Sequence, residues 1–282
     1  MPSSSASRLY VLAAAALFST GGAAIKATTL TGWQVAGFRS AIAAVVIFMF
    51  LPPARRIRDW RIWAVATSYA LTLLAFVTAN KLTTAANAIF LQDSAPLYLL
   101  LVGPWLLAEP LRRRDLALMA LIAAGALLVF AGGATPSHTA PDPARGNLIA
   151  LGTGLTWAIT IGGLRWVEKS LPGRESGMAT VAAGSSLGGA FALPFAFPMQ
   201  ATTTDWAILL YLGLIQVSLG YVLLTRGVRG VSALEASLLI LIEPALSPIW
   251  AGVVHGEWPA GLALAGGALI LGATLAQVLG RD

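Results

Sequence analysis

Five ionisable side chains, Lys26, Arg39, Asp93, Glu235 and Glu243, interrupt long apolar stretches of this 282-residue chain. A charge placed in hydrocarbon is costly, so such residues pair with one another or serve a substrate, an ion or a proton. Glu235 and Glu243 are eight residues apart, a spacing that sets both on roughly one helical face. Glu243 precedes Pro244, and a proline inside a helix frees a carbonyl in the turn before it. The chemistry open to Glu243 is to hold an amine, to carry a proton, or to pair with Lys26 or Arg39. Rings and amides at similar depth, Phe18, Asn80, Gln92, Tyr98, Trp157, Gln216 and Tyr221, suit a pocket wall. Aromatic faces stack on a ring or attract an ammonium, and a few amides orient polar groups. Pro96 and Pro244 sit inside apolar runs, as static kinks or as hinges, and their symmetric placement favours hinges. Glu109 and Glu257 close their runs and read as end caps or gate contacts.

Catalytic readings are weaker. Gly184-Ser185-Ser186-Leu187-Gly188 fits G-x-S-x-G, but a nucleophile elbow needs a strand-to-helix turn, which an apolar helical run does not offer. The two histidines, His138 and His255, stand in a loop and at a run's end, away from Ser186. No HExxH or Walker A sequence is present, and cysteine is absent. No catalytic residue, metal site or cofactor is therefore expected, and ATP coupling has no support.

The elements that must position these residues follow from hydropathy. Apolar residues make up 57% of the chain and charged residues 11%, with a mean hydropathy of +0.78. Soluble domains carry about 25% charged residues, so the solvent here is lipid. Apolar runs lie at about 8–29, 33–52, 60–80, 84–108, 113–131, 146–167, 177–198, 205–225, 232–254 and 260–279. Each is long enough for a transmembrane helix, and continuous runs are not the alternation of a barrel strand. The expected fold is all-α, with ten transmembrane helices. Arg8 before the first run resembles a signal peptide, but that run continues past Ala24, so it is expected to be retained. Pro136, Pro141 and Pro143 mark the joint between two halves, 8–131 and 146–279.

With the N-terminus inside, 14 of the 18 lysines and arginines fall in inside segments and only Lys81 and Arg145 fall outside. That bias sets both termini in the cytoplasm. The net charge of +6 is explained the same way and does not point to nucleic acid. Trp33, Trp60, Trp206 and Trp258 near run ends fit the interfacial belt.

The halves repeat. Asp59-Trp60 recurs as Asp205-Trp206; Ala88, Pro96 and Glu109 recur as Ala236, Pro244 and Glu257; Phe18 and Lys26 recur as Trp157 and Arg165. Five spans is an odd number, so the second unit enters from the opposite side, giving two inverted five-helix repeats with a substrate site at their interface. A duplicated scaffold without transport is the alternative. Small residues, among them Gly125, Gly266 and Gly272, crowd the fifth and tenth spans, which read as peripheral supports and a homodimer contact.

Those spacings, the Phe38-Arg39 pair, and the Ala85–Glu109 and Ala233–Glu257 segments with their central prolines resemble tandem EamA domains of the drug/metabolite transporter superfamily over residues 8–279. Asn87 and Ala95 stand where the second repeat has Glu235 and Glu243. The resemblance implies a multi-pass inner-membrane exporter of small metabolites, most similar to the aromatic and neutral amino-acid branch. It implies alternating access through a cavity enclosed by the first four spans of each half. Export of organic cations or drugs is the rival transport reading.

Overall fold

The computed structural model describes residues 4–55, 58–106, 113–133, 135–171, 176–228, 230–231 and 233–279. Helices start where the local sequence supplies a cap for the free N–H groups of a first turn. The chain opens with α1 (Ser4–Ser19) and α2 (Gly21–Lys26), which together make one span, Ser5–Lys26. Thr31 and Gln34 form a reciprocal capping box that begins α3 (Gly32–Phe50). Asp59 caps α4 (Trp60–Leu82), and Thr84 caps α5 (Ala85–Gln92). Then come α6 (Ala95–Leu106) and α7 (Arg113–Ala131).

The second half begins with α8 (Pro143–Ser170), capped by Asp142 with Pro143 in its first turn, where a missing N–H costs nothing. After α9 (Ser176–Ala192), a second capping box, Thr202 with Asp205, opens α10 (Thr203–Leu210). That helix passes through a π-helical stretch, Tyr211–Leu219, into α11 (Gly220–Gly227). The last elements are α12 (Ala233–Ile240), α13 (Ile242–His255) and α14 (Gly261–Leu279). Gly256 ends α13 at φ 67°, the left-handed stop that a side chain rarely adopts.

Among the described residues nine helical segments are long and apolar enough to cross a membrane, one fewer than the ten runs expected. The difference is the run at 84–108, which is divided between α5 and α6 at Asp93-Ser94. Neither piece alone reaches the roughly 20 residues a crossing needs. The run at 232–254 is interrupted at the matching place, by a one-residue turn at Leu241 between α12 and α13. Pro96 and Pro244 thus lie in the first turn of a new helix rather than within a kinked one. The interruption also separates Glu235 from Glu243, so one unbroken helical face does not carry both.

Close packing follows the small residues. The long α4 lies along α8 and α9, α3 along α9, α1 against α11, α12 and α13, and α5 against α8 and α13. Gly184 on α9 meets Tyr69 and the Ala66 carbonyl, and Gly163 on α8 meets Val65. The helices α7 and α14 pair with each other. A Cβ on Gly125 would stand 2.7 Å from the Gly266 carbonyl oxygen and 2.8 Å from Ile270 Cγ1. These two glycines are spent on a contact inside the chain, while Gly272 has nothing within 4 Å. Trp60 and Trp258 are more than 60% exposed, as interfacial residues are.

Candidate functional site

Where α1, α3, α4, the α5–α6 turn, α8, the π-helical stretch, α11 and the α12–α13 turn converge, they leave a cavity of about 170 Å³. Both halves contribute. The first supplies Phe18, Arg39, Tyr69, Thr72, Leu73, Phe76, Gln92 and Asp93; the second supplies Trp157, Gln216, Val217, Tyr221, Leu224, Ile240, Leu241, Glu243 and Pro244. No residue of α7 or α14 lines it. Phe18 and Trp157, paired by the sequence repeat, both reach the cavity. So do the two interrupted turns, through Asp93 and Leu241.

Aromatic rings form one wall. Phe18 and Tyr221 lie 5.1 Å apart, tilted by 57°, and Tyr69 meets Tyr221 edge to face at 5.8 Å. Trp157 packs with Tyr221 against the cluster around Tyr69. Two glycines make this wall possible. A Cβ on Gly220 would stand 2.5 Å from Phe18 Cε1, and one on Gly213 would stand 2.5 Å from Ile42 Cγ2. The π-helical stretch between them carries Gln216 and Val217 into the cavity. Its loosened backbone is partly repaired by the Ser218 hydroxyl, which donates to the Gly213 carbonyl at 2.7 Å. Such π segments concentrate at functional sites.

Several polar atoms of the cavity lack partners among the described residues. Arg39 is 2% exposed, and its Nε is buried without an acceptor. Asp93 Oδ2 and Gln216 Oε1 are also buried without partners among the described residues. Buried polar groups are normally paired, so unpaired ones converging on one cavity point to a ligand.

One end of the bundle is tied shut above this cavity. Lys26 Nζ pairs with Glu257 at 3.1 Å, the two side chains 2% and 7% exposed, and donates to the Thr83 carbonyl at 2.7 Å and to that of Thr139. Glu257 also accepts the Ala85 N–H at 2.6 Å, capping α5. Lys81 donates to Thr28, and the His255 ring meets the Ala23 carbonyl at 2.8 Å. Asp205 accepts from Thr29 through both backbone N–H and hydroxyl, and from Thr202 in the same way. These contacts join the ends of α2, α4, α10 and α13, the start of α5, and the loop before α8.

Of the residues singled out by sequence, Phe18, Arg39, Gln92, Asp93, Trp157, Gln216, Tyr221, Glu243 and Pro244 come together at the cavity. Asn80, Tyr98, Lys26, Glu235 and Pro96 do not line it. Asn80 is fully buried and donates to the Phe76 carbonyl at 3.0 Å. Tyr98 lies against Gly154 on α8. Lys26 pairs with Glu257 rather than with Glu243, and Glu235 is held by Arg8 near the opposite end of the bundle. Glu257 is therefore both an end cap and an ion-pair partner; Glu109 lies outside the described residues. Sequence reasoning passed over Tyr69 and Thr72, polar residues inside the third span whose position carried the same signal as Tyr221. The G-x-S-x-G sequence lies within α9, where the Ser186 hydroxyl donates to the Ala182 carbonyl at 2.8 Å. A strand-to-helix turn is absent there.

Residues 6–131 and 144–278 each match the EamA-like transporter family. The chain is 25% identical over 277 residues to the pseudopaline exporter CntI of two strains of Pseudomonas aeruginosa, covering 95% of this chain and 94% of each relative. A protein of known crystal structure superposes on 99% of this chain and 100% of its own with a TM-score of 0.65, at 20% sequence identity, a likeness of fold alone.

Proposed function

The chain belongs to the EamA-like transporter family, and from that premise we propose that it exports small metabolites from the cytoplasm by alternating access. Amino acids with aromatic or apolar side chains are the foremost substrates. The observation that carries the reading is the cavity itself. It lies at the seam of the two halves, is walled by rings, holds unpaired polar groups, and has one end of the bundle tied off by the contacts around Lys26 and Glu257. Its volume of about 170 Å³ lies below the ~300–1,000 Å³ of pockets for drug-sized ligands, which favours a small metabolite over a drug. A buried guanidinium in the wall also disfavours an organic cation. Export of pseudopaline by the relative supports the direction and the size class of cargo, and is silent on amino acids.

Ten spans in two inverted repeats remain the architecture we propose, with α5 and α6 together making the tenth crossing. The helix pairings support it. Exchanging the halves turns the α4–α8 contact into that of α11 with α1, the α5–α8 contact into that of α12 with α1, and the α6–α8 contact into that of α13 with α1. It maps α3–α9 and α7–α14 onto themselves. The charge bias supports cytoplasmic termini and an outward-facing Lys26–Glu257 end in the inner membrane.

Purified protein in vesicles loaded with each of the twenty amino acids tests the proposal. We expect counterflow of a labelled aromatic or apolar amino acid that protein-free vesicles lack. Counterflow of organic cations alone transfers the reading to drug export. Exchange of neither class removes the amino-acid assignment.

A further inference from the structure

We propose that Arg39 selects for a carboxylate in the transported molecule, so that the cavity takes compounds bearing both a carboxylate and an amine on a small apolar or aromatic body. The inference rests on the transporter reading above and narrows its substrate class.

Arginine stays charged at any working pH and offers five N–H donors in a planar fork that matches a carboxylate. Arg39 holds this group near the middle of α3 at 2% exposure. A buried charge is tolerated when it is paired. Yet the ion pairs among the described residues are Arg8 with Glu235 and Lys26 with Glu257, and neither includes Arg39. Its Nε is shut away from solvent with no acceptor, and its side chain borders the cavity. Both carboxyl groups of the cavity, Asp93 and Glu243, stand apart from it as ion-pair partners, although helices as close as these bring charges together readily elsewhere in the chain.

The cavity is thus polarised. A cationic group projects from α3, and two acidic groups stand at the α5–α6 turn and at the start of α13. Asp93 Oδ2 is itself buried and unpartnered. A ligand with a carboxylate at Arg39 and an amine toward Asp93 or Glu243 would pair the guanidinium and one of the two acidic groups. The rings of Phe18, Tyr69 and Tyr221 provide the surface for its body. An organic cation would leave the guanidinium unpaired, and a dicarboxylate without an amine would face the two acidic groups.

Binding to the purified full chain, followed through its nine tryptophans, tests this with the twenty amino acids and their carboxamides, which keep the amine and side chain but lose the negative charge. We expect the wild-type protein to bind at least one amino acid about tenfold or more tighter than its amide, the scale of one charge-assisted hydrogen bond. Arg39→Gln should bring the acid to within about twofold of the amide, and Arg39→Lys should restore part of the preference. Removing an unpaired buried charge should leave the melting temperature of the ligand-free Arg39→Gln protein equal or raised. Acid and amide bound alike by the wild type, no amino acid bound by it, or a preference that persists in Arg39→Gln would each overturn the assignment. A melting temperature several degrees lower in ligand-free Arg39→Gln would overturn it too, because it would make Arg39 a structural counter-ion. Counterflow in vesicles separates this inference from its premise. Exchange that ignores the acid–amide difference sinks the Arg39 assignment and leaves the transporter. Acid-selective binding without exchange sinks the transporter and leaves Arg39.

Discussion

The Lys26–Glu257 pair sets the sharpest test of alternating access. In Glu257→Gln the amide oxygen still accepts the Ala85 N–H, so the α5 cap survives while the negative charge is lost. Lys26, 2% exposed, is then a buried ammonium held only by the Thr83 and Thr139 carbonyls. Removing one partner of a buried ion pair costs about 3–5 kcal/mol. The remaining carbonyls argue for the lower end, about 3 kcal/mol. That penalty falls on the closed-end state alone, because opening this end hydrates Lys26. At 1.4 kcal/mol per tenfold, the balance shifts by about 100-fold toward opening. The chain contains no cysteine, so Val217→Cys, buried in the cavity wall, is a single reporter for a membrane-impermeant maleimide applied from outside. Glu257→Gln should raise its labelling rate at least tenfold. In Lys26→Met with Glu257→Gln no buried charge is stranded, so the rate should return toward that of the parent. Unchanged labelling in the single variant, or equal labelling in single and double variants, would refute the gate.

Other expectations concern the frame. Gly125→Val should lower the melting temperature and separate α7 from α14, because its Cβ would stand 2.7 Å from the Gly266 carbonyl; the cost is about 1–3 kcal/mol, read by thermal denaturation in detergent. Asp205→Ala removes a capping-box partner and both bonds to Thr29, and should cost about 2 kcal/mol in the same assay. Pro244→Ala should lower the rate of counterflow while leaving expression and melting temperature near the parent, since the residue lies in a first helical turn, where proline removes no intrahelical hydrogen bond. Full transport in that variant would reduce the helix interruption at Leu241 to architecture.

Hydropathy summed along the chain was enough to place the helical segments, because in lipid every backbone polar group must be satisfied within its own segment, and only helices and closed barrels do that. Caps such as Thr31, Asp59 and Thr202, found in the structure, are local features that act within one turn of themselves. The repeat spacings carried Phe18 and Trp157 to one cavity because duplicated residues occupy equivalent positions. Even the prolines were informative, although the sequence pointed to kinks where the fold has interruptions. A residue preceding proline is biased away from the helical region, and a helix restarts at the proline more cheaply than it continues through it.

What the sequence could not decide was which charge meets which. Pairing of Lys26 with Glu257 spans 231 positions, and that of Arg8 with Glu235 spans 227. The eight-residue spacing of Glu235 and Glu243 suggested a shared helical face, yet one is held by Arg8 and the other borders the cavity. Arg39 was read as a possible partner of Glu243, and only the crossing of α3 with the π-helical stretch and α4 leaves it buried and alone. The π-helical stretch itself had no local signature beyond Gly213 and Gly220, whose missing side chains matter only because Ile42 and Phe18 lie against them. Local sequence sets how each segment satisfies its own backbone. The pairing of side chains from segments hundreds of residues apart is set by which helices pack together, and that is a property of the assembled bundle.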